Sequence, residues 1–181
     1  MNLNFASIWE NTTNLIPDEV AIICGDDKKT WRQYDDIASK LASALIDAGL
    51  TTYSKAGLYL HNSNEYLEAQ FAIFKIGGTP INVNYRYKAE ELLYLLDNSD
   101  CEALFYQACY GDQINKIKHS LPNIKVWIEV SDNEDSIVKD CLNYNELVDQ
   151  NNPMARWERP EDIVYMLYTG GTTGMPKGVM Y

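Results

Sequence analysis

The chain has 181 residues, of which 46% are hydrophobic and 12% aromatic, so we expect about one domain with a hydrophobic core and not a disordered chain. The 15 basic and 26 acidic residues give a formal net charge of −11, which argues against binding along a nucleic-acid backbone but allows one local phosphate site. The apolar runs are too short for a membrane helix and the first residues lack a signal segment, which predicts a cytoplasmic protein.

The cysteines and histidines do not form a recognisable site. No two cysteines stand in a C-x-x-C spacing, so both a zinc site and a disulfide framework are disfavoured. We expect the cysteines to be small core or near-core residues and each histidine to be a surface or loop residue. These residues are Cys24, Cys101, Cys109, Cys141, His61 and His119.

Strand-like apolar runs alternate with helical periods along the whole chain. This alternation is typical of βαβ units and predicts an α/β domain, with a layered, mostly parallel sheet flanked by helices. In the first half of the chain we expect a helix Phe5–Leu15, a strand Val20–Cys24, a turn at 25–29, a helix from 31 to 48, a strand at 57–60, a helix from about 63 to 76 and an extended segment at 80–83. In the second half we expect a helix around 92–96, a strand at 103–106, a helix around 114–121 and a half-exposed strand at 124–130. Loops at 131–136 and 150–162 and a buried strand at 163–167 complete the prediction.

Several helix ends are predicted from individual residues. Thr30 and Gln33 form a capping-box pattern at the start of the second helix, and Gly49 is expected to end it. Asn62 and Glu65 are expected to cap the third helix in the same way.

The most informative segment spans residues 168–178 and follows the last apolar run. It reads Tyr-Thr-Gly-Gly-Thr-Thr-Gly-Met-Pro-Lys-Gly. Its glycines allow the backbone N–H groups to approach a ligand, its threonines add hydroxyl donors, and its lysine adds a positive charge. Such a set of donors suits the oxygens of a polyphosphate, whereas the alternative interpretation is a glycine-rich hairpin with a surface lysine.

The same segment does not fit the two common nucleotide-binding motifs. In a Walker A alignment that starts at Gly171, Pro176 stands where glycine is required and Gly178 where serine or threonine is required. The glycine spacing does not fit a G-x-G-x-x-G dinucleotide turn either. An unrelated nucleotide-binding NTPase is therefore disfavoured.

The segment from Tyr168 to Gly178 resembles the phosphate-binding signature of AMP-forming adenylating enzymes, which include acyl-CoA synthetases, peptide-synthetase adenylation domains and luciferases. Every position fits, with Gly170 where many members have serine. Residues 30–36 and 74–82 resemble two earlier segments of that superfamily, in the same order. Residues 83–87, Val-Asn-Tyr-Arg-Tyr, are typical of fatty-acyl or steroid-side-chain CoA ligases.

This resemblance implies both a fold and an activity. The fold would be the first part of the large N-terminal domain of an acyl-CoA synthetase. The activity would be ATP-dependent conversion of a carboxylic acid, fatty or otherwise apolar, through an acyl-adenylate to acyl-CoA, with ATP, Mg²⁺ and CoA taking part. The residues implied to bind the β- and γ-phosphates are Thr169, Gly170, Gly171, Thr172, Thr173, Gly174 and Lys177.

The resemblance also implies that important parts lie elsewhere. The catalytic Lys and the Mg²⁺-binding Glu of the superfamily are expected beyond residue 181, so we assign no catalytic residue and no metal ligand within the chain. We expect residues 1–181 to be the N-terminal part of an AMP-binding domain, truncated just after the loop 168–178 and without the C-terminal domain. Alone it should be inactive and bind ATP weakly, and the missing part could act in trans. The alternative is a non-catalytic remnant or partner-binding module of the same fold.

Overall fold

The computed structural model describes residues 3–169 and 176–181. Their helices are α1 (Phe5–Leu15), α2 (Trp31–Asp47), α3 (Asn64–Lys75), α4 (Ala89–Asn98), α5 (Gly111–Ile117) and α6 (Tyr144–Gln150), with 3₁₀ turns at Ala108–Tyr110 and Lys118–Ser120. Their strands are β1 (Val20–Cys24), β2 (Asp27–Thr30), β3 (Lys55–Tyr59), β4 (Thr79–Asn82), β5 (Ala103–Gln107), β6 (Val126–Val130), β7 (Leu142–Asn143), β8 (Met166–Thr169) and β9 (Lys177–Met180).

Seven of these strands form one sheet in the order β7-β6-β5-β3-β4-β8-β9. All neighbouring pairs in it are parallel except β8 and β9, which are antiparallel. Helices α1, α2, α3 and α6 contribute to the hydrophobic core on one face, and α4 and α5 to the core on the other. The predicted layered, mostly parallel sheet flanked by helices is confirmed.

The core is densest around β5, whose side chains alternate between the two faces of the sheet. Ala103 and Phe105 belong to the core on the face of α2 and α3, whereas Leu104 and Tyr106 belong to the core on the face of α4 and α5. All four side chains are fully buried. This is the arrangement expected of a parallel strand that is covered by helices on both faces.

Strand β6 is more deeply buried than its sequence pattern predicts. The alternation of Val126, Ile128 and Val130 indicates one exposed face, yet all five residues of β6 are buried. The other face carries Trp127, which packs in the second core, and Glu129, which accepts a hydrogen bond from a buried tyrosine hydroxyl at 3.0 Å. The prediction of a half-exposed strand is wrong because helices cover both faces.

Side-chain caps start helices α1, α2, α3 and α6. The Thr30–Gln33 capping box is confirmed, with reciprocal side-chain-to-backbone bonds of 3.3 and 2.9 Å. Gly49, with φ +87°, follows the end of α2 as predicted. Helix α3 differs, because Ser63 caps it by accepting a hydrogen bond from the Tyr66 N–H. The predicted cap at Asn62 is wrong by one residue.

The segment 25–29 is mostly strand and not the turn predicted for it. The turn covers only Gly25 and Asp26, and β2 then pairs antiparallel with β1 in a separate two-stranded sheet. Gly25 has φ +59°, which a two-residue hairpin turn requires and glycine adopts without strain. Helix α6 and strand β7, each only a few residues long, were not predicted.

The cysteines are distributed differently from the prediction. Cys101 is buried and Cys141 is partly buried, but Cys24 and Cys109 are exposed. The near-core expectation is wrong for these two, because Cys24 is the last residue of β1 in the separate two-stranded sheet and Cys109 lies in the 3₁₀ turn that follows β5. In residues 3–169 and 176–181, no helix is long and apolar enough to cross a membrane.

Candidate functional site

The candidate phosphate-binding segment begins on β8 and ends on β9. The register of the two strands pairs Thr169 with Lys177 and Tyr168 with Gly178. Thr169 and Lys177, the two residues of the predicted site that the structure describes, therefore lie opposite each other where β8 ends and β9 begins. The other predicted contacts lie outside the described residues, and they are Gly170, Gly171, Thr172, Thr173 and Gly174.

Thr169 and Lys177 offer accessible polar groups. Both residues are exposed, and the Thr169 Oγ1 donates a long hydrogen bond of 3.5 Å to the Lys177 carbonyl. Lys177 takes part in none of the ion pairs formed among the described residues. A weakly held hydroxyl and an accessible ammonium, one on each strand, are the donor set that a phosphate oxygen requires.

Tyr168 and Gly178, the first and last residues of the motif, pack against each other. A Cβ atom added to Gly178 would lie 3.1 Å from the Tyr168 ring, which is closer than ordinary van der Waals contact, so the ring would have to shift by a few tenths of an ångström. The Tyr168 hydroxyl donates to Asn98 Oδ1 at 2.9 Å, which connects β8 to the end of α4. Burial raises the pKa of Tyr168, so the phenol stays protonated and remains a donor. These two residues fix the hairpin and are not expected to touch a ligand.

The apolar run before the motif is only partly buried. Ile163 and Met166 are buried, whereas the residues between and after them are partly exposed. On the α3 side, the Tyr66 hydroxyl donates to Asn82 Oδ1 at 3.0 Å and lies 3.3 Å from the Tyr165 hydroxyl. Desolvation raises the pKa of Tyr66. The prediction of a buried strand at 163–167 is therefore only partly correct, because the strand begins at Met166 and only Ile163 and Met166 of this run are buried.

Sequence reasoning missed a buried cluster of charges that joins α1 and α3 to the segment before β8. Glu10, Lys75 and Arg159 are each at most 5% exposed and are joined by ion pairs of 2.8 and 2.9 Å. Asp35 pairs with the same lysine at 2.6 Å and with Arg156 at 2.7 Å. The available signal was a single charged residue on the apolar faces of α1 and α3, but the sequence does not show which partners these residues meet.

His61 is exposed, as predicted, but it does not stand alone. Its Nε2 lies 2.6 Å from the Tyr110 hydroxyl, and its ring makes an edge contact with Tyr85 at a centroid distance of 5.0 Å. Nearby, the Cys109 N–H donates to Asp132 Oδ2 at 2.9 Å. Burial and the adjacent carboxylate raise the pKa of Cys109 to about 11, so its thiol stays protonated and is a poor nucleophile.

The described residues were also compared with the requirements of a metal site. Among residues 3–169 and 176–181, no three His, Cys, Asp or Glu side chains are placed to hold a metal ion together. The donor chemistry near the hairpin is instead that of hydroxyl and ammonium groups, which suits an anion.

Comparison with known proteins gives one family and a consistent set of relatives. The sequence model of the family described as "AMP-binding enzyme" matches residues 9–181. A medium/long-chain-fatty-acid–CoA/3-oxocholest-4-en-26-oate–CoA ligase of Mycobacterium tuberculosis is 39% identical over 182 residues, which cover 99% of this chain and 33% of that protein. A 3-oxocholest-4-en-26-oate–CoA ligase of Rhodococcus rhodochrous is 39% identical over 184 residues, covering 100% of this chain and 33% of the relative.

A solved structure shows the same fold. The anthranilate CoA ligase AuaEII in complex with anthranoyl-AMP matches with a TM-score of 0.90 at 22% identity, over 99% of this chain and 34% of that chain. The chain thus spans about a third of the length of the curated relatives it matches.

Proposed function

Since the chain belongs to the AMP-binding enzyme family, we propose that it carries the phosphate-binding segment of an AMP-forming acid–CoA ligase. The observation that carries this proposal is the pairing of Thr169 with Lys177 at the two ends of the glycine- and threonine-rich segment. The pairing places a hydroxyl and an ammonium at one end of a hairpin whose connecting residues supply further backbone and hydroxyl donors.

The proposed substrate is an apolar carboxylic acid, activated by ATP and transferred to CoA. Two relatives at 39% identity are named for CoA ligation of fatty acids or of 3-oxocholest-4-en-26-oate, which supports both the acid class and the acceptor. The sequence at 83–87 supports the same class. The proposed location of the protein is the cytoplasm.

In the proposed reaction, a carboxylate oxygen of the acid attacks the α-phosphorus of ATP. The bond between the α-phosphorus and the bridging oxygen breaks, and pyrophosphate leaves with the electron pair. Lys177 would offset the negative charge that grows on the leaving group, and Thr169 would donate a hydrogen bond to one of its oxygens. The residues proposed to complete the contacts are Gly170, Gly171, Thr172, Thr173 and Gly174.

Mg²⁺ remains part of the proposal as an ion that arrives with the nucleotide and adds neutralising charge. No residue of this chain is assigned as its ligand, because the described residues contain no suitable group of three carboxylate, imidazole or thiolate side chains, and the Mg²⁺-binding Glu is proposed to lie beyond residue 181. The proposal for the chain as a whole is that residues 1–181 form the N-terminal part of an adenylate-forming domain. The chain would then need the C-terminal part, covalently attached or in trans, for activity.

The test is pyrophosphate release from ATP and Mg²⁺ with a panel of carboxylic acids, measured on this chain and on the chain extended through its reading frame. We expect activity only in the extended protein. In that protein, Lys177→Met should lower kcat/KM by about 10²-fold or more, as removal of one transition-state contact typically does. The matched control is Lys28→Met, which removes an exposed lysine of β2 and should leave the rate unchanged.

Two results would contradict the proposal. Absence of activity in both proteins would favour the non-catalytic module, and equal rates for the two lysine variants would remove Lys177 from the site. Isothermal titration of the 181-residue chain should show weak ATP binding or none. Micromolar affinity would instead show that these residues suffice to hold the nucleotide.

A further inference from the structure

The segment 151–165, here called the strap, connects α6 to β8 without forming a helix or strand. Side-chain and backbone hydrogen bonds attach it to α1, α2 and α3. The Met154 N–H donates to the Ser39 carbonyl at 3.0 Å, and Ser43 Oγ donates to the Asn152 carbonyl at 2.8 Å. These two bonds attach the first part of the strap to α2.

The strongest attachment of the strap is buried. The Arg159 guanidinium donates from two nitrogens to the two carboxylate oxygens of Glu10, each at 2.9 Å. Lys75 Nζ lies 2.8 Å from the same carboxylate and 2.6 Å from Asp35. The cluster pairs the two buried cations with two carboxylates, and Asp35 also pairs with the partly exposed Arg156 at 2.7 Å. The bidentate geometry fixes the Arg159 guanidinium in direction as well as distance.

The same arginine caps a helix. Lys75 is the last residue of α3, so its carbonyl has no partner within the helix. Arg159 Nε and Trp157 Nε1 both donate to that carbonyl, the latter at 3.0 Å. A cation at a helix C-terminus is also favoured by the helix dipole. The Arg159 side chain therefore joins α1 and α3 to the segment that leads to β8.

The contacts of strand β8 with the rest of the sheet are limited. It pairs with β4 at only two positions, Ile81 with Met166 and Asn82 with Leu167. Its other partner, β9, contains no buried residue. Burial therefore contributes less to the placement of β8 than it does in the centre of the sheet.

We propose that Arg159 and Glu10 are positioning residues that fix the start of β8, and thereby the place of Thr169 and Lys177 relative to β4. Neither side chain is expected to touch a substrate. The effect on ATP chemistry rests on the proposed function, whereas the effect on β8 rests only on the contacts described above.

The test compares amide hydrogen exchange of Arg159→Met and Arg156→Met with that of the unmodified chain. Arg156 lies three residues earlier in the strap and pairs with Asp35 at 2.7 Å, but its side chain is 38% exposed, so it is the matched control for an attachment of the strap that is not buried. In Arg159→Met we expect exchange in β8 and β9 to rise by about tenfold or more, with β3, β5 and β6 unchanged. Arg156→Met should change the exchange rates of β8 and β9 by less than about threefold. Arg159→Lys, which keeps the charge near Glu10, should recover part of the protection and guards against a variant that fails to fold.

A uniform rise in exchange over the whole sheet would overturn the proposal, because it would indicate a general loss of stability. Equal effects of the two arginine variants, or unchanged exchange in β8, would also overturn it. In the extended protein, Arg159→Met should lower kcat more than it changes KM for the acid. If exchange changes locally while that protein has no ligase activity even unmodified, the positioning role stands and the proposed function fails.

Discussion

The centre of the sheet and its β8–β9 end are stabilised by different interactions. In β5, side chains on both faces are fully buried under helices. In β8 only Met166 is buried, and the strand is positioned by β4, by its partner β9 and by the strap. The comparison shows that burial builds the scaffold, whereas directional hydrogen bonds and ion pairs place the hairpin that carries the candidate site.

Replacing a leucine by alanine in the centre of the sheet and in β8 should give the largest difference in unfolding free energy. Leu104→Ala in β5 removes a fully buried side chain and should cost about 2–5 kcal/mol of unfolding free energy. Leu167→Ala in β8, which is partly exposed, should cost about 1 kcal/mol. Urea denaturation measures both values. Equal losses would show that β8 is as much a part of the core as β5.

A methyl group at Gly178 should disturb the hairpin directly. Its Cβ would lie 3.1 Å from the Tyr168 ring, and that ring is held by its hydrogen bond to Asn98. Gly178→Ala should therefore cost about 1–2 kcal/mol, measured by urea denaturation and by exchange in β8 and β9. The double variant with Tyr168→Ala removes the overlap, so the two effects should be non-additive. Additive effects would show that the ring is not what excludes a side chain at position 178.

The buried Glu68 should make the stability of the protein depend on pH. This buried carboxyl of α3 accepts a hydrogen bond from the Tyr144 hydroxyl, and its Oε1 has no hydrogen-bond partner among the described residues. Desolvation raises its pKa above the value in the unfolded chain, with the charged or titratable neighbours being Tyr144, Glu65, Lys29 and Asp27. Folding therefore favours the protonated carboxyl. The stability that this group contributes is fully present below the pKa of the unfolded chain and is lost as the pH rises through the pKa of the folded protein.

Glu68→Gln, which is neutral at every pH, should therefore stabilise the protein by about 1 kcal/mol at pH 7 and flatten the stability profile in the weakly acidic range. Thermal or urea denaturation from pH 4 to 8 measures this. Glu161→Gln, at an exposed position, is the control and should leave the profile unchanged. A variant that is less stable at pH 7 would show that the carboxylate, and not the neutral form, is what the site prefers.

The smallest effect is expected at an exposed ion pair. Arg32 and Asp18 lie 3.1 Å apart, with side chains that are 64% and 83% exposed. Asp18→Asn should change the unfolding free energy by less than about 0.5 kcal/mol, because solvent and salt screen the pair. The same denaturation assay applies. A loss of more than about 1 kcal/mol would weaken the distinction between buried and exposed ion pairs on which the role of Arg159 depends.

Local signals in the sequence predicted much of the fold correctly. Phe5–Leu15 and Val20–Cys24 have the predicted bounds, and the capping box at Thr30 and Gln33 is present. These features depend on residues three or four positions apart, so a linear reading captures them. The α3 cap was displaced by one residue because several neighbouring polar side chains could each act as a cap.

The candidate site was predicted only in part. Thr169 and Lys177 are found together because the motif itself includes both sides of the hairpin. The cluster around Arg159 was missed because its partners are distant in sequence, with Glu10 149 residues and Lys75 84 residues away. Nothing in a polar loop with two prolines indicates which helices it will contact.

The amino-acid sequence by itself determined the α/β class, the family resemblance and the chemistry of the segment 168–178, since these depend on residue type and short-range order. Only the tertiary structure decided that β6 is covered on both faces and that Tyr168 packs on Gly178. It also decided that the strap attaches β8 to α1 and α3 through Arg159. Each of these depends on which elements become neighbours, because burial and ion pairing are properties of contacts between distant parts of the chain.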